Sequence, residues 1–297
     1  TMKKTLIKVK SRSLGDTVAA LPYINKFQEN LPLQQVHVNI SDKLIELFKP
    51  VYPALAFSPS HSTESFDRVI ELDYNFNKPI QAGYAEQLGF ANAEYIRPKI
   101  SIPTGERPIK SKYIAIGVHS TAQLKYWNHP LGKKSQAESL NWNELCSLLR
   151  KQGYTPVVVE EHQFFGIGPN WNGVPSKANK KIGQSLIESM NIVYHAEFYI
   201  GLSSGMAWVA HAMGKPVAMI ANFTEKWNEF DLSCEDYIRI TDESVCHGCF
   251  NKVNLEFPFI AGDWYWCPLH KDTARQFECH TAITPARVME QIQKWLV

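Results

Sequence analysis

Four of the six cysteines of this 297-residue chain fall in one stretch, CHGCFNKVNLEFPFIAGDWYWCPLHKDTARQFEC, residues 246–279. Cys246 and Cys249 stand two residues apart, and Cys267 and Cys279 follow. The Cys-x-x-Cys bend offers two thiolates from one turn, and two more sulfurs complete a tetrahedral site that suits zinc or mononuclear iron. Four protein ligands leave no open coordination position, so such an ion would be structural. It would staple a loop-rich insertion that has little core of its own. A thioredoxin-like redox pair would stand early in an α/β unit and would not need two partner cysteines. His247, His270 and His280 lie close enough in sequence to replace one cysteine as ligand. Phe250, Phe257, Phe259, Trp264, Tyr265 and Trp266 would form a small core around the ion, or a docking face. Cys146 and Cys234 read as isolated buried thiols.

Three loops carry the remaining chemistry. In SLGDT (13–17), Gly15 allows a tight turn and Asp16 is a carboxylate that could take a proton from an attacking hydroxyl. As a purely structural feature, Asp16 would instead cap the helix that follows, worth about 1 kcal/mol. STAQLKYWN (120–128) sets Ser120, Thr121 and Gln123 before the cation Lys125. Hydroxyls and a lysine can neutralise a departing diphosphate without a metal. The plainer alternative is a polar loop with Tyr126 and Trp127 packed beneath it. GLSSGMAWVAHAMG (201–214) puts Ser203, Ser204, Gly205 and Met206 where a strand gives way to a helix, and free N–H groups at a helix start bind phosphate. There too, a serine could simply be the cap. The tempting GIGPNWNG (166–173) fails as a dinucleotide loop, because Trp171 stands at the third glycine position and Pro169 interrupts the helix start. There is no Asp-x-Asp pair for a metal-bound nucleotide.

These loops need a scaffold that ends strands beside helix starts. The pattern supplies it. TLIKVK (5–10), QVHVNI (35–40) and RVIELD (68–73) read as strands, alternating with helical spacing at 17–31 and 43–51. A second cycle has strands at 113–120, 155–161, 197–203 and 215–221, with helices at 141–153, 182–196 and 205–214. Thr284 and Pro285 open a last helix over 284–297 as cap and first residue. The proline- and charge-rich stretch 95–112 reads as the linker. The expectation is an α/β protein of two Rossmann-like, doubly wound domains facing a cleft, residues 1–105 and 106–297, with the cysteine finger inside the second.

Composition narrows the class. The net charge of +2 is too balanced for a dedicated nucleic-acid binder. No apolar run is long enough for a membrane span, and the start lacks a secretory pattern. A cytoplasmic protein with reduced thiols is expected, which makes a disulfide framework the weakest reading of the cysteines.

With its segments in this order, the chain resembles the bacterial autotransporter heptosyltransferases, a branch of glycosyltransferase family 9. The motifs that carry the likeness are SLGDT, STAQLKYWN, FYIGLSSGMAWVAHAMGKPV, WNEF (227–230), RPKI (97–100) and CHGCF…GDWYWCP…RQFEC. The resemblance covers nearly the whole chain, and the cysteine run is its most specific part. It implies a GT-B fold and an ADP-heptose donor. It implies transfer to a serine hydroxyl of a surface adhesin, by an inverting reaction without a catalytic metal. It makes Asp16 the base and assigns Ser120, Thr121, Gln123, Lys125, Ser203, Ser204 and Gly205 to the donor side, where Gly15, Thr17 and Met206 stand in the same turns. It makes iron, rather than zinc, the ion of the four cysteines. Lipopolysaccharide heptosyltransferases usually carry Asp-Thr-Gly at the phosphate turn. Ser203-Ser204-Gly205 favours the autotransporter branch, whose members usually have a further N-terminal domain, while this chain begins almost at its first strand. The same fold and donor could serve a lipopolysaccharide or capsule saccharide acceptor. A non-catalytic binding module using the finger is the alternative of another class, and a homo-oligomer is compatible with either.

Overall fold

The computed structural model describes residues 2–120, 127, 140–167, 170–256 and 266–297. Its first sheet holds β1 (Lys3–Val9), β2 (Gln34–Ile40), β3 (Ala56–Pro59) and β4 (Arg68–Leu72) in the order β3-β2-β1-β4, all parallel. The second holds β5 (Tyr113–Gly117), β6 (Thr155–Glu160), β9 (Asn179–Ile182), β10 (Tyr199–Leu202), β11 (Val217–Ile220) and β12 (Tyr237–Ile240), in the parallel order β12-β11-β10-β5-β6-β9. Every residue of β5, β10 and β11 is buried, as strands covered on both faces must be. Between the two sheets, residues 88–112 contain no helix or strand.

The chain winds outward from β1 in one direction and returns to β4 on the other side; the second sheet does the same about β5 and β10. Each sheet therefore has one switch point, between β1 and β4 and between β5 and β10. Crevices open there at the carboxyl ends of the strands, where ligands bind in this architecture.

Helix α1 (Leu14–Glu29) leaves β1, and α2 (Asp42–Phe48) and α3 (Ile80–Gln87) follow. In the second half come α4 (Leu140–Lys151), α5 (Leu186–His195) and α6 (Gly205–Ala212). The chain ends with α7 (Cys249–Glu256), α8 (Glu278–Thr281) and α9 (Pro285–Ile292). Helix α1 starts three residues earlier than its apolar spacing suggests. Ser13 takes the cap position, its Oγ accepting the Asp16 amide at 3.2 Å, so Asp16 lies in the first turn and is not itself the cap. The final helix has Thr284 as cap and Pro285 at its start, as expected. The described residues of the rejected GIGPNWNG segment, 166–167 and 170–173, lie in an antiparallel strand pair, β7 (Phe164–Ile167) with β8 (Asn170–Gly173).

The halves are not loosely tethered. One core runs from Ile7 and Val18 through Trp208 to Phe230, so residues of both halves share it. Helices α1 and α6 pack together across this seam. Arg97, of the RPKI segment, donates to the His211 carbonyl at 2.9 Å and pairs with Asp236 at 2.5 Å. Among the described residues, no helix is long and apolar enough to cross a membrane.

Candidate functional site

Asp16 is 5% exposed at the first switch point. Three hydroxyls converge on its Oδ2: Ser13 at 2.6 Å, Ser11, and Tyr74 from the segment that follows β4. An oxygen that accepts three O–H donors is held in one orientation. Burial, and next the Asp16 charge, push the Tyr74 hydroxyl well above its ordinary pKa, so it stays a donor. Tyr84 of α3 is raised by burial and the same charge. The Thr17 hydroxyl is engaged by the Ser13 carbonyl at 2.9 Å.

A pocket of about 240 Å³ opens at the second switch point. His119 and Ser120 follow β5, Glu160 ends β6 and His162 follows it, Tyr199 rises from β10, and Ser204, Gly205 and Met206 begin α6. Ser120 Oγ donates to the Ser203 carbonyl at 3.1 Å, tying the loops after β5 and β10 together across the switch. The Ser204 side chain caps α6 by accepting the Ala207 amide at 3.4 Å, leaving the first amides of the helix at the pocket. The described lining contains no lysine or arginine, so the positive end of α6 is its attraction for an anion. The other wall is acidic. Glu160 accepts the amides of Val118 at 2.5 Å and His119 at 2.9 Å. Burial outweighs those two bonds and pushes its carboxyl up to about 8. Gly117 is a glycine of necessity, because a Cβ there would fall 1.8 Å from the Tyr199 hydroxyl.

Beneath the Ser203–Gly205 turn lies a buried ion pair. Glu229 Oε1 accepts Ser203 Oγ and Thr224 Oγ1, both at 2.7 Å, and its Oε2 meets Arg239 Nη1 at 2.6 Å. Arg239 also donates to the Thr224 carbonyl at 2.7 Å. This is the Glu of WNEF: it holds the Ser203–Gly205 turn from below.

The two crevices meet where the starts of α1 and α6 touch. A Cβ on Gly15 would lie 3.0 Å from Trp208 Cδ1 and 3.2 Å from Gly205 Cα. Gly15 is thus a point of close approach between the halves.

All four cysteines line one cavity of about 20 Å³, with His247, His270, Arg275 and Glu278. That is room for one atom-sized guest. Burial, then their mutual repulsion as thiolates, pushes Cys249 and Cys279 well up, the charge conflict that a cation removes. The tightest described donor set is Cys246, His270 and Glu278, whose ligand atoms lie within 4.8 Å of one another. Glu278, however, is already spoken for: Arg275 grips it at 2.6 and 2.9 Å and the Cys246 amide reaches it at 3.1 Å. That grip holds its carboxyl down to about 2. By their chemistry the four sulfurs at this cavity would suit a thiophilic ion, although they do not converge within 4.8 Å as the atoms of Cys246, His270 and Glu278 do.

TibC of Escherichia coli O78:H11, an autotransporter heptosyltransferase, is 31% identical over 98% of this chain and 71% of its own length. The chain belongs to the autotransporter heptosyltransferase family. A crystal structure of TibC, an iron-containing dodecameric glycosyltransferase, superposes with a TM-score of 0.85 at 29% identity, over 99% of this chain and 77% of TibC. TibC has also been solved in complex with ADP-D-beta-D-heptose. The E. coli ADP-heptose lipopolysaccharide heptosyltransferase II shares the fold alone, at TM-score 0.64 and 12% identity over 99% of this chain and 98% of that one. BimC of Burkholderia thailandensis, 26% identical over 98% of this chain and 68% of its length, is an inactive autotransporter heptosyltransferase. No protein-family model matches the chain.

For a glycosyltransferase of this family the expected residues separate cleanly. Ser120, Ser204, Gly205 and Met206 line one pocket, Ser203 anchors it, and Gly15 and Asp16 stand at the opposing crevice. Thr121, Gln123 and Lys125 lie outside the described residues, as do Phe257, Phe259, Trp264 and Tyr265; Trp127 is fully buried and donates to the Ile283 carbonyl at 2.7 Å. Cys146 is buried, its thiol pushed up to about 12 by that burial, whereas Cys234 is only half-buried. Sequence reasoning missed Tyr74, Glu160 and Glu278. Tyr74 stands just after β4 and Glu160 at the end of β6, where only the sheet order reveals the spatial neighbour, whereas Glu278 opens α8 and meets the Cys246 amide across the finger.

Proposed function

We propose that the chain transfers heptose from ADP-heptose to a hydroxyl, with inversion and without a catalytic metal. Residues 1–105 would form the acceptor side and residues 106–297 the donor side. The observation that carries this reading is the pairing of two switch-point sites: a fixed carboxylate on one side, an anion-binding helix start on the other, joined at Gly15 and Gly205. Family membership alone would not suffice, since BimC is inactive.

In this reading Asp16 Oδ1, which takes none of the three hydroxyl bonds, accepts the acceptor proton as the new C–O bond forms. The bond to the diphosphate breaks, and its electron pair leaves with ADP. The amides at Ser204 and Gly205, with Ser120, Thr121, Gln123 and Lys125, stabilise that leaving group. Glu160, at the acidic wall, faces the uncharged nucleoside and not the diphosphate. A serine of a surface protein is the proposed acceptor, by likeness to the family. The cysteines Cys246, Cys249, Cys267 and Cys279 would hold one structural iron, the metal TibC contains. Reduced thiols fit a cytoplasmic setting, and assembly of several copies is part of the same proposal.

The deciding experiment is a thermal-shift titration with ADP-heptose, ADP, UDP and UDP-glucose. A ligand held only by the native state adds about 2.7 kcal/mol at a hundredfold excess over its dissociation constant. ADP compounds alone should stabilise the protein, and Lys125→Ala should weaken the effect. Stabilisation by UDP compounds alone would overturn the donor assignment. Mass analysis of a peptide and a saccharide after incubation with ADP-heptose then separates the acceptors.

A further inference from the structure

We propose that the cysteine finger positions the candidate base, acting through Phe250 and Tyr74. This rests on the assignment of Asp16 as base for its catalytic meaning, but the contacts stand without it. Phe250 directly follows Cys249 at the start of α7 and is 9% exposed. Its amide donates to the Phe223 carbonyl at 3.0 Å, fixing it to the segment that follows β11. Its ring meets Phe76 at 4.9 Å and the edge of Tyr74 at 5.8 Å and 88°. The next residue, Asn251, donates to the Phe76 carbonyl at 2.9 Å and to Asn228 Oδ1 at 2.8 Å. The finger thus grips the segment that follows β4 by both a ring and an amide.

Tyr74 sits between two packings. On one side Tyr84 of its own half stacks on it, with centroids 6.3 Å apart at 30°. On the other, Phe250 is the described ring that crosses from the second half. Its hydroxyl ends on Asp16 Oδ2. Tyr84, Phe76 and Phe250 set the hydroxyl, and the hydroxyl sets the carboxylate. An ion held by the cysteines fixes the first turn of α7, and so the seat of Phe250. The finger therefore reaches the opposite crevice without offering an open coordination site. The charged and titratable groups that face Tyr74 and Asp16 are Tyr84 and Asp73, the latter paired with Lys10 at 2.6 Å.

The test reads Asp16 directly. In metal-loaded protein labelled with carboxyl-13C aspartate, Asp16→Asn assigns the Asp16 resonance. Tyr74→Phe, which keeps the ring and removes the hydroxyl, should displace that resonance at fixed pH. Phe250→Leu, a mild change chosen so that the chain folds, should displace it in the same direction, and Phe250→Ala further. ADP affinity should stay within about twofold of wild type in all three, since none touches the donor pocket. An unmoved resonance in Tyr74→Phe overturns the proposal. So does a resonance that moves in Tyr74→Phe but not in either Phe250 variant, for then the finger is only a staple. Because no turnover is measured, failure of the coupling is distinct from failure of Asp16 as base, which Asp16→Ala tests.

Discussion

Removing the carboxylate of Glu229 should cost about 3–5 kcal/mol, the range for stripping one partner from a buried ion pair. The side chains of Glu229 and Arg239 are 0% and 3% exposed, so water cannot replace what is lost. Glu229→Ala breaks the 2.6 Å pair and two 2.7 Å bonds from Ser203 and Thr224. Arg239 keeps its bonds to the Thr224 carbonyl and hydroxyl at 2.7 and 3.0 Å, which favours the lower half of the range. Replacing both partners, Glu229→Met with Arg239→Met, should recover at least half of the loss, because no buried charge is then left alone. Function should not recover with it. Both variants remove the 2.7 Å bond from Ser203 to Glu229, so the turn that presents the α6 amides loosens, and ADP should bind about tenfold more weakly, or about 1.4 kcal/mol. Denaturant midpoints and calorimetric titration with ADP read the two quantities separately. A loss under about 1 kcal/mol in Glu229→Ala, or ADP affinity restored in the double variant, would refute the claim that this pair anchors the phosphate turn.

Asp16→Ala should abolish transfer while leaving ADP-heptose binding within a few-fold of wild type; persisting transfer removes Asp16 as the base. Gly15→Ala forces the starts of α1 and α6 apart at contacts of 3.0–3.2 Å, and transfer should fall at least about tenfold in a folded protein, equivalent to 1.4 kcal/mol. Glu160 keeps its proton to about pH 8 in the fold, against 4.5 for an ordinary glutamate, so the folded state holds the extra proton between those values and stability falls as pH rises through them. Glu160→Gln cannot ionise: melting curves should match wild type near pH 5 and exceed it near pH 9, and parallel curves would remove the burial argument. Metal analysis of single cysteine-to-serine variants should show loss of the ion from each of Cys246, Cys249, Cys267 and Cys279 but retention in His270→Ala. Loss in His270→Ala with retention in Cys267→Ser would assign the ion to Cys246, His270 and Glu278 instead.

The central strands and most helices were legible because their apolar spacing is local. Four of the second sheet's six strands read directly as apolar runs such as YIAIG and VAMI, whereas the short edge strands β3, β9 and β12 were not read. The Cys-x-x-Cys turn and its two partner cysteines read the same way, since thiols are rare and their spacing is short. What sequence could not carry was adjacency across a switch point. Tyr74 reaches Asp16 over 58 residues, and Ser203 reaches Glu229 over 26, each through a sheet order that no local period encodes. The start of α1 was misplaced for a smaller reason. Asp16 and Ser13 are both good caps, and only the geometry gives the cap to Ser13 and frees the carboxylate to take hydroxyl donors.

That choice of cap matters for chemistry. Had Asp16 capped α1, its oxygens would be spent on the helix amides and the crevice would lack a proton acceptor. With Ser13 as cap, its hydroxyl both accepts the Asp16 amide and donates to the Asp16 carboxylate, so one side chain ends the helix and aims the acid. Across the seam, Ser204 repeats the first half of this device at α6, where the amides and not a carboxylate face the crevice. In the proposed mechanism opposite electrostatics would therefore arise from the same strand-to-helix turn: Asp16 would make the α1 start a place for a proton, and Gly205 would leave the α6 start a place for an anion. A transfer reaction needs one of each, held at a fixed separation, and the glycine contact between the two helix starts sets that separation.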